Sequence, residues 1–240
     1  MSIPRGQPRP LFIARYWQAL LDLLYPDPCR ACGLILLETE AIICTDCRIN
    51  LPRTNSHCVI IPELGLRFTG KVVVENVYAF LKFERAGKVQ RLLHQLKYNN
   101  QPEVGKTLGQ LYGAELNAAS VGVTFDLIVP VPLHPKKLAQ RGYNQSDAFA
   151  EGLAESLGVA WSSGALARRK YTQTQTGKNR VERFENVAGI FEVIDSKAIE
   201  NQRIALVDDV MTTGATLESA VGELLQKGAK SVTIITLAAT

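Results

Sequence analysis

The chain has 240 residues, 46% hydrophobic and 21% charged, an ordinary globular composition with enough apolar residues for a sizeable core. Its length exceeds that of a typical single domain and suits one domain with an appendage. A formal net charge of +4 is only mildly basic. It is compatible with an anionic small molecule or weak nucleic-acid contact and diagnostic of neither.

The apolar run near the start, "LFIARYWQALLDLLY", is broken by Arg15 and Asp22, and no small-residue cleavage site follows it. It is too short and too charged to span a bilayer, which needs roughly 20 apolar residues. Leu11/Phe12, Arg15/Tyr16, Leu20 and Leu23/Leu24 recur at helical spacing, so residues 1–25 are predicted to form an amphipathic helix that packs on protein. No other segment is long and apolar enough to cross a membrane. The expected location is cytoplasmic.

Four of the five cysteines form "CRAC" and "CTDC", a CxxC-x11-CxxC array of Cys29, Cys32, Cys44 and Cys47. Two such knuckles bring four thiolates around one tetrahedral Zn2+, and Gly33 suits the tight turn after the first pair. The alternatives are two disulfides or redox thiols. Disulfides fit poorly without a secretory signal, and a redox CxxC needs no twin. Residues 26–61 therefore read as a small zinc module with a closed, structural site. Cys58, beside His57, is left off the metal.

"PELGLRFTG" (62–70), with its Pro and two Gly, reads as a linker to a domain over 71–240. There the pattern becomes mixed α/β. "VYAFLKF" (77–83) predicts a strand, and 88–98 and 103–116 predict helices with Val89, Leu92, Leu93 and Leu96, then Val104, Leu108, Leu111 and Tyr112, on their apolar faces. "FDLIVPVPL" (125–133) predicts a buried strand ended by its prolines, where a cis peptide is left open. A helix follows, opened by Asn144 or Ser146 and closed by Gly158. "IALVD" (204–208), a helix near 216–227 and "SVTIITLA" (231–238) make a βαβ unit. Non-alternating strands separated by helices predict a parallel sheet covered on both faces.

The stretch "RIALVDDVMTTGATLESA" (203–220) runs a buried strand into two adjacent acids and then a Thr/Gly turn before a helix. In such a sheet, ligands bind beyond the carboxyl ends of the strands. Successive N–H groups at Gly214 and the helix dipole favour an anion, and Thr212, Thr213 and Thr216 add hydroxyl donors. Acids beside an anion cradle are incoherent for a lone phosphate and coherent for a sugar phosphate. The cradle holds the phosphate while Asp208 and Asp209 accept from the ribose hydroxyls. The bland alternative is a glycine turn with surface aspartates.

"IALVDDVMTTGAT" resembles the 5-phosphoribosyl-1-diphosphate (PRPP) motif of type I phosphoribosyltransferases. With "VPVPLHPKKLAQRGYNQS", "LLHQLKY", "TQTQTGKNRVERFENVAGIF" and the paired CxxC, the chain from about residue 11 onward resembles the ComF family. The resemblance implies a type I phosphoribosyltransferase fold, a Rossmann-like parallel sheet flanked by helices, with a small N-terminal four-cysteine zinc module. It implies that Asp208 and Asp209 hold the ribose and stabilise positive charge at its ring, and that residues 211–216 (Met211, Thr212, Thr213, Gly214, Ala215, Thr216) bind the 5-phosphate. It implies that Lys137 and Arg141, with Lys178, Arg180 and Arg183 of a closing flap, steady the diphosphate of Mg2+-bound PRPP. Lys97, at the end of "LLHQLKY", favours the helix dipole whether or not it has a functional role.

The leading expectation is transfer of the phosphoribosyl group from PRPP to an unidentified nitrogen acceptor. The rival is a non-catalytic protein of natural transformation that senses PRPP or handles single-stranded DNA with other competence-machinery proteins. Against that rival, aromatic and basic residues are thinly interleaved, with Tyr143, Tyr171 and Phe184 scattered. A protein–protein adaptor acting through the zinc module is the third reading.

Overall fold

The computed structural model describes residues 27–121, 125–169 and 190–240. The chain divides into two compact units, Met1–Ile49 and Asn50–Thr240. In the first, the CRAC knuckle turns back on itself. The Cys29 N–H donates to Leu34 O at 2.7 Å and the Gly33 N–H to Cys29 O at 2.8 Å, with Gly33 at φ +83°, a conformation that costs glycine nothing. The second knuckle enters a short helix, α1 (Thr45–Ile49).

The second unit opens with α2 (Pro62–Leu66), started by Pro62 in the first turn. The stretch 62–70, expected as a linker, thus contains a helix, and it buries Leu64 and Phe68. Five strands build one parallel sheet: β1 (Val77–Lys82), β2 (Leu127–Pro130), β3 (Ala160–Trp161), β6 (Arg203–Met211) and β7 (Ser231–Ala239), in the order β1-β7-β6-β2-β3. β4 (Leu166–Arg168) and β5 (Phe191–Val193) form a separate antiparallel pair. Among the helices, α3 (Lys88–Tyr98) and α4 (Pro102–Ala118) follow β1, and α5 (Pro135–Arg141) and α6 (Gln145–Leu157) lie between β2 and β3. Next come α7 (Ser196–Ile199) and α8 (Ala215–Gln226). α3 buries the predicted face of Val89, Leu92, Leu93 and Leu96.

The central strands lack alternation because both faces are covered. Ile204 and Leu206 join Leu217, Ala220, Val221 and Leu224 of α8 in one core cluster. Ala205 and Val207, pointing the other way, are also buried. β2 is shorter than predicted and β6 longer. Pro130 and Pro132 end the first, whereas β6 keeps its pairing with β7 through Met211↔Ala239.

One packing contact fixes where α6 begins. Gly105, Gly109 and Gly113 line the face of α4 that meets α6. A Cβ on Gly109 would fall 2.3 Å from Phe149 O, and one on Gly152 only 2.1 Å from Lys106 O. The two backbones therefore touch, and Lys106 braces them with Glu151 at 2.7 Å and Glu155 at 2.6 Å. In an exposed helix, Gly→Ala stabilises by about 1 kcal/mol. Here Gly152→Ala is expected to destabilise by about 1–3 kcal/mol through overpacking. Urea denaturation reads the sign, and a stabilised variant would mean the helices do not approach this closely.

Candidate functional site

β2 and β6 are neighbours whose connections leave in opposite directions, β2 toward β3 and β6 toward β7. A crevice opens beyond the carboxyl ends of such a pair. The last ladder bond between them is Val131 N–H to Val207 O at 2.8 Å. Asp208 and Asp209 follow directly, in a part of β6 held only by β7.

Each acid has a partner. Asp208 Oδ1 accepts from Ser146 Oγ at 3.0 Å and from the Asp209 N–H at 2.8 Å. Asp209 Oδ2 lies 2.6 Å from Lys97 Nζ at the end of α3. Ser146 is held by the start of α6, where Asn144 donates to Val131 O at 3.1 Å and to Asp147 Oδ1 at 2.6 Å. The pinned α4–α6 pair therefore aims a hydroxyl at the acid pair.

A cavity of about 180 Å³ lies against these groups, and Lys97, Lys137, Arg141, Arg168, Asp208 and Thr216 are among its lining residues. Cations and carboxylates thus face one small polar space. "PKKLAQR" folds as α5, with Pro135 in its first turn and Gly142 in the left-handed region at its end. His134 caps that helix by accepting the Lys136 N–H at Nδ1, 3.2 Å away. Arg141 donates to Gln145 Oε1 at 2.6 Å and lies 5.5 Å from the centre of the Tyr98 ring. No cis peptide is present among the described residues.

The phosphate-loop residues lie beside this cavity. Met211 is 1% exposed, so its side chain belongs to the core. Thr212, Thr213 and Ala215 are exposed and Thr216 is half-buried. Gly214 holds φ +82° as the residue preceding α8. Asp208, Asp209, Lys137, Arg141 and Thr216 are thus brought to one cavity, with 212–215 on the adjoining turn. Lys178, Arg180 and Arg183 lie outside the described residues. Sequence reading misses two residues of the cavity wall. Ser146 reads from sequence only as a helix cap, and Arg168 only as one basic residue at the start of the polar stretch 167–187, whereas the structure puts it at the end of β4.

In the other unit, the sulfur atoms of Cys29, Cys32, Cys44 and Cys47 lie within 4.8 Å of one another and form a group that can hold a metal ion. Backbone N–H groups point at the sulfurs, Cys44 N to Cys29 Sγ at 3.3 Å and Cys47 N to Cys44 Sγ at 3.4 Å. Burial would raise the Cys29 thiol, but the N–H groups of Cys44, Cys32 and Ala31 outweigh it and lower the pKa to about 6. Burial and the neighbouring sulfurs push the Cys47 thiol the other way, so one stabilised thiolate stands among thiols that a bound cation would help to ionise. Cys58 is exposed and outside this group.

A parallel sheet of this order, with an acid pair and a glycine turn at its switch point, defines a phosphoribosyltransferase fold. Residues 145–240 match the family model described as the phosphoribosyl transferase domain. The chain is 35% identical over 152 residues to DNA utilization protein YhgH of Salmonella typhi, covering 62% of this chain and 66% of that protein, just under two thirds of its length. It is 30% identical over 211 residues to YhgH of Escherichia coli K12, covering 85% of this chain and 86% of that one. Competence protein ComFC of Bacillus subtilis is 27% identical over 220 residues, covering 85% and 87%. The chain belongs to the ComF family of phosphoribosyltransferase-domain proteins. No helix among the described residues is long and apolar enough to cross a membrane.

Burial and then the neighbouring Asp209 charge push the Asp208 carboxyl from 3.8 up to about 7. The native state then keeps a proton that the unfolded chain releases, so folding stability falls as pH rises through the window from about 4 to about 7. Burial lifts Asp147 to about 6 in the same direction. Asp208→Asn, which mimics the protonated form, should raise the thermal midpoint at pH 8 and leave it unchanged near pH 4. Equal midpoints at both pH values would contradict the burial of this charge.

Proposed function

We propose that the crevice binds Mg2+-PRPP and that the protein transfers the 5-phosphoribosyl group to a nitrogen acceptor with release of diphosphate. The observation that carries this reading is the single cavity where Asp208 and Asp209 face Lys97, Lys137, Arg141 and Arg168, beside the Gly214 turn. A sugar carrying a phosphate at one end and a diphosphate at the other matches that division. The diol meets the acids, the 5-phosphate meets the N–H groups and hydroxyls of 212–216, and the diphosphate meets the cations of α5 and β4.

In the reaction, the bond from C1 to the diphosphate oxygen breaks and the leaving group takes the electron pair. The acceptor nitrogen then forms the bond to C1 and loses its proton, which the released diphosphate takes up. Asp209, joined by Asp208 once that carboxyl has given up the proton it holds below about pH 7, stabilises the positive charge that develops on the ring. Lys97 neutralises Asp209 until the ribose arrives. Lys137 and Arg141, with Lys178, Arg180 and Arg183 of the proposed flap, hold the departing diphosphate. Mg2+ carried by the substrate would supply charge neutralisation to the diphosphate.

The four cysteines fit a structural Zn2+: sulfur donors in a closed set, with N–H groups supporting them. One zinc per chain is expected by elemental analysis of purified protein. Cys47→Ser should lose that metal and its thermal stability together. A metal-free, stably folded wild type would refute the assignment.

Mg2+-PRPP should raise the thermal midpoint, and Asp208→Ala with Asp209→Ala should abolish the shift. An unshifted wild type sinks the PRPP site. Diphosphate release across a panel of purines, pyrimidines and other nitrogen acceptors then tests transfer. The names of the relatives, DNA utilization and competence proteins, favour a second reading in which PRPP is sensed and single-stranded DNA is handled. PRPP binding without diphosphate release, together with a salt-dependent gel shift, would support it.

A further inference from the structure

The turn that would hold the 5-phosphate is buttressed from a segment distant in sequence. Arg67, directly after α2, reaches across to the end of β6. Its Nη1 donates to Met211 O at 3.3 Å and also to Thr212 O, and its Nη2 donates to Thr240 O. Phe68, 1% exposed, presses its ring against Gly214. A Cβ on that glycine would lie 3.1 Å from the ring. Lys71 pairs with Glu218 in the first turn of α8 at 3.2 Å, and Val72 approaches Gly222. Residues 67–72 thus run along α8, touching the turn and then the helix.

We infer that Arg67 is the positioning residue of the 5-phosphate turn, an inference that rests on the PRPP reading. A trans peptide is planar, with its N–H pointing opposite to its C=O. Met211 O also accepts the Thr240 N–H at 3.2 Å, so the sheet shares in orienting that peptide; capturing Thr212 O as well turns the Thr213 N–H, like that of Thr212, away from Arg67, toward the face where an anion would lie. The guanidinium holds Met211 O and Thr212 O from Nη1 and Thr240 O from Nη2, a rigid planar span that the single ammonium nitrogen of a lysine does not reproduce. Phe68 sets the depth of the turn, because Gly214 has no side chain to keep the ring away. Arg67 acts through the backbone and spends its donors there.

The test uses the full chain, as purified, with Arg67→Met and Arg67→Lys. Without ligand, amide hydrogen exchange over 212–216 should accelerate in Arg67→Met and less so in Arg67→Lys. In calorimetry, ribose 5-phosphate should bind about tenfold more weakly to Arg67→Met, the scale of one charged hydrogen bond, while Mg2+-diphosphate keeps its affinity. Unchanged exchange and unchanged ribose 5-phosphate affinity overturn the inference, as does equal loss of both ligands. If Arg67→Met fails to fold, Arg67→Lys and Phe68→Leu carry the same exchange comparison. A wild type that binds neither ligand defeats the PRPP reading alone, and the ligand-free exchange still decides the role of Arg67.

Discussion

β6 runs past the end of β2, and that overhang organises the rest of the larger unit. From Ile204 to Val207 the strand is paired on both sides and fully buried, so only apolar residues fit. One residue later the β2 side is open, and two half-buried carboxylates line the cavity. Their mutual repulsion is offset by a hydroxyl on one and an ammonium on the other. Neither partner is local: Ser146 comes from the start of α6 and Lys97 from the end of α3. The acid pair is therefore tolerable only in the finished fold, because an unpaired buried charge is expensive.

That dependence explains why helix packing far from the crevice bears on its chemistry. The glycine contact between α4 and α6 sets the height at which α6 starts, and so where Asn144 and Ser146 stand. On the opposite flank, residues 67–72 fix α8 and the turn before it. Preorganisation of this kind matters most where charge develops during a reaction.

The four-cysteine group follows a different logic. Its geometry is local, with each knuckle turning on its own backbone and N–H groups directed at sulfur. Such a site orders a short segment that has little apolar core of its own. That is why its ligands could be read directly from spacing.

Sequence alone was enough wherever the deciding forces are local. The CxxC pairs, the helix at 88–98 with its apolar face, the αL glycine at 158 and the acid–threonine–glycine run were all legible from residue type and period. The rest hangs on contacts between residues far apart in the chain, which no window of sequence contains. Lys97 could be a helix-end cation or a partner of Asp209, and only the docking of α3 beside β6 settles which. Ser146 could be a cap or a donor to Asp208, and the answer lies in where α6 begins. Residues 62–70 have the composition of a linker, yet Phe68 is buried and Arg67 reaches three carbonyls, because α8 and the end of β6 offer them a surface no local pattern reveals.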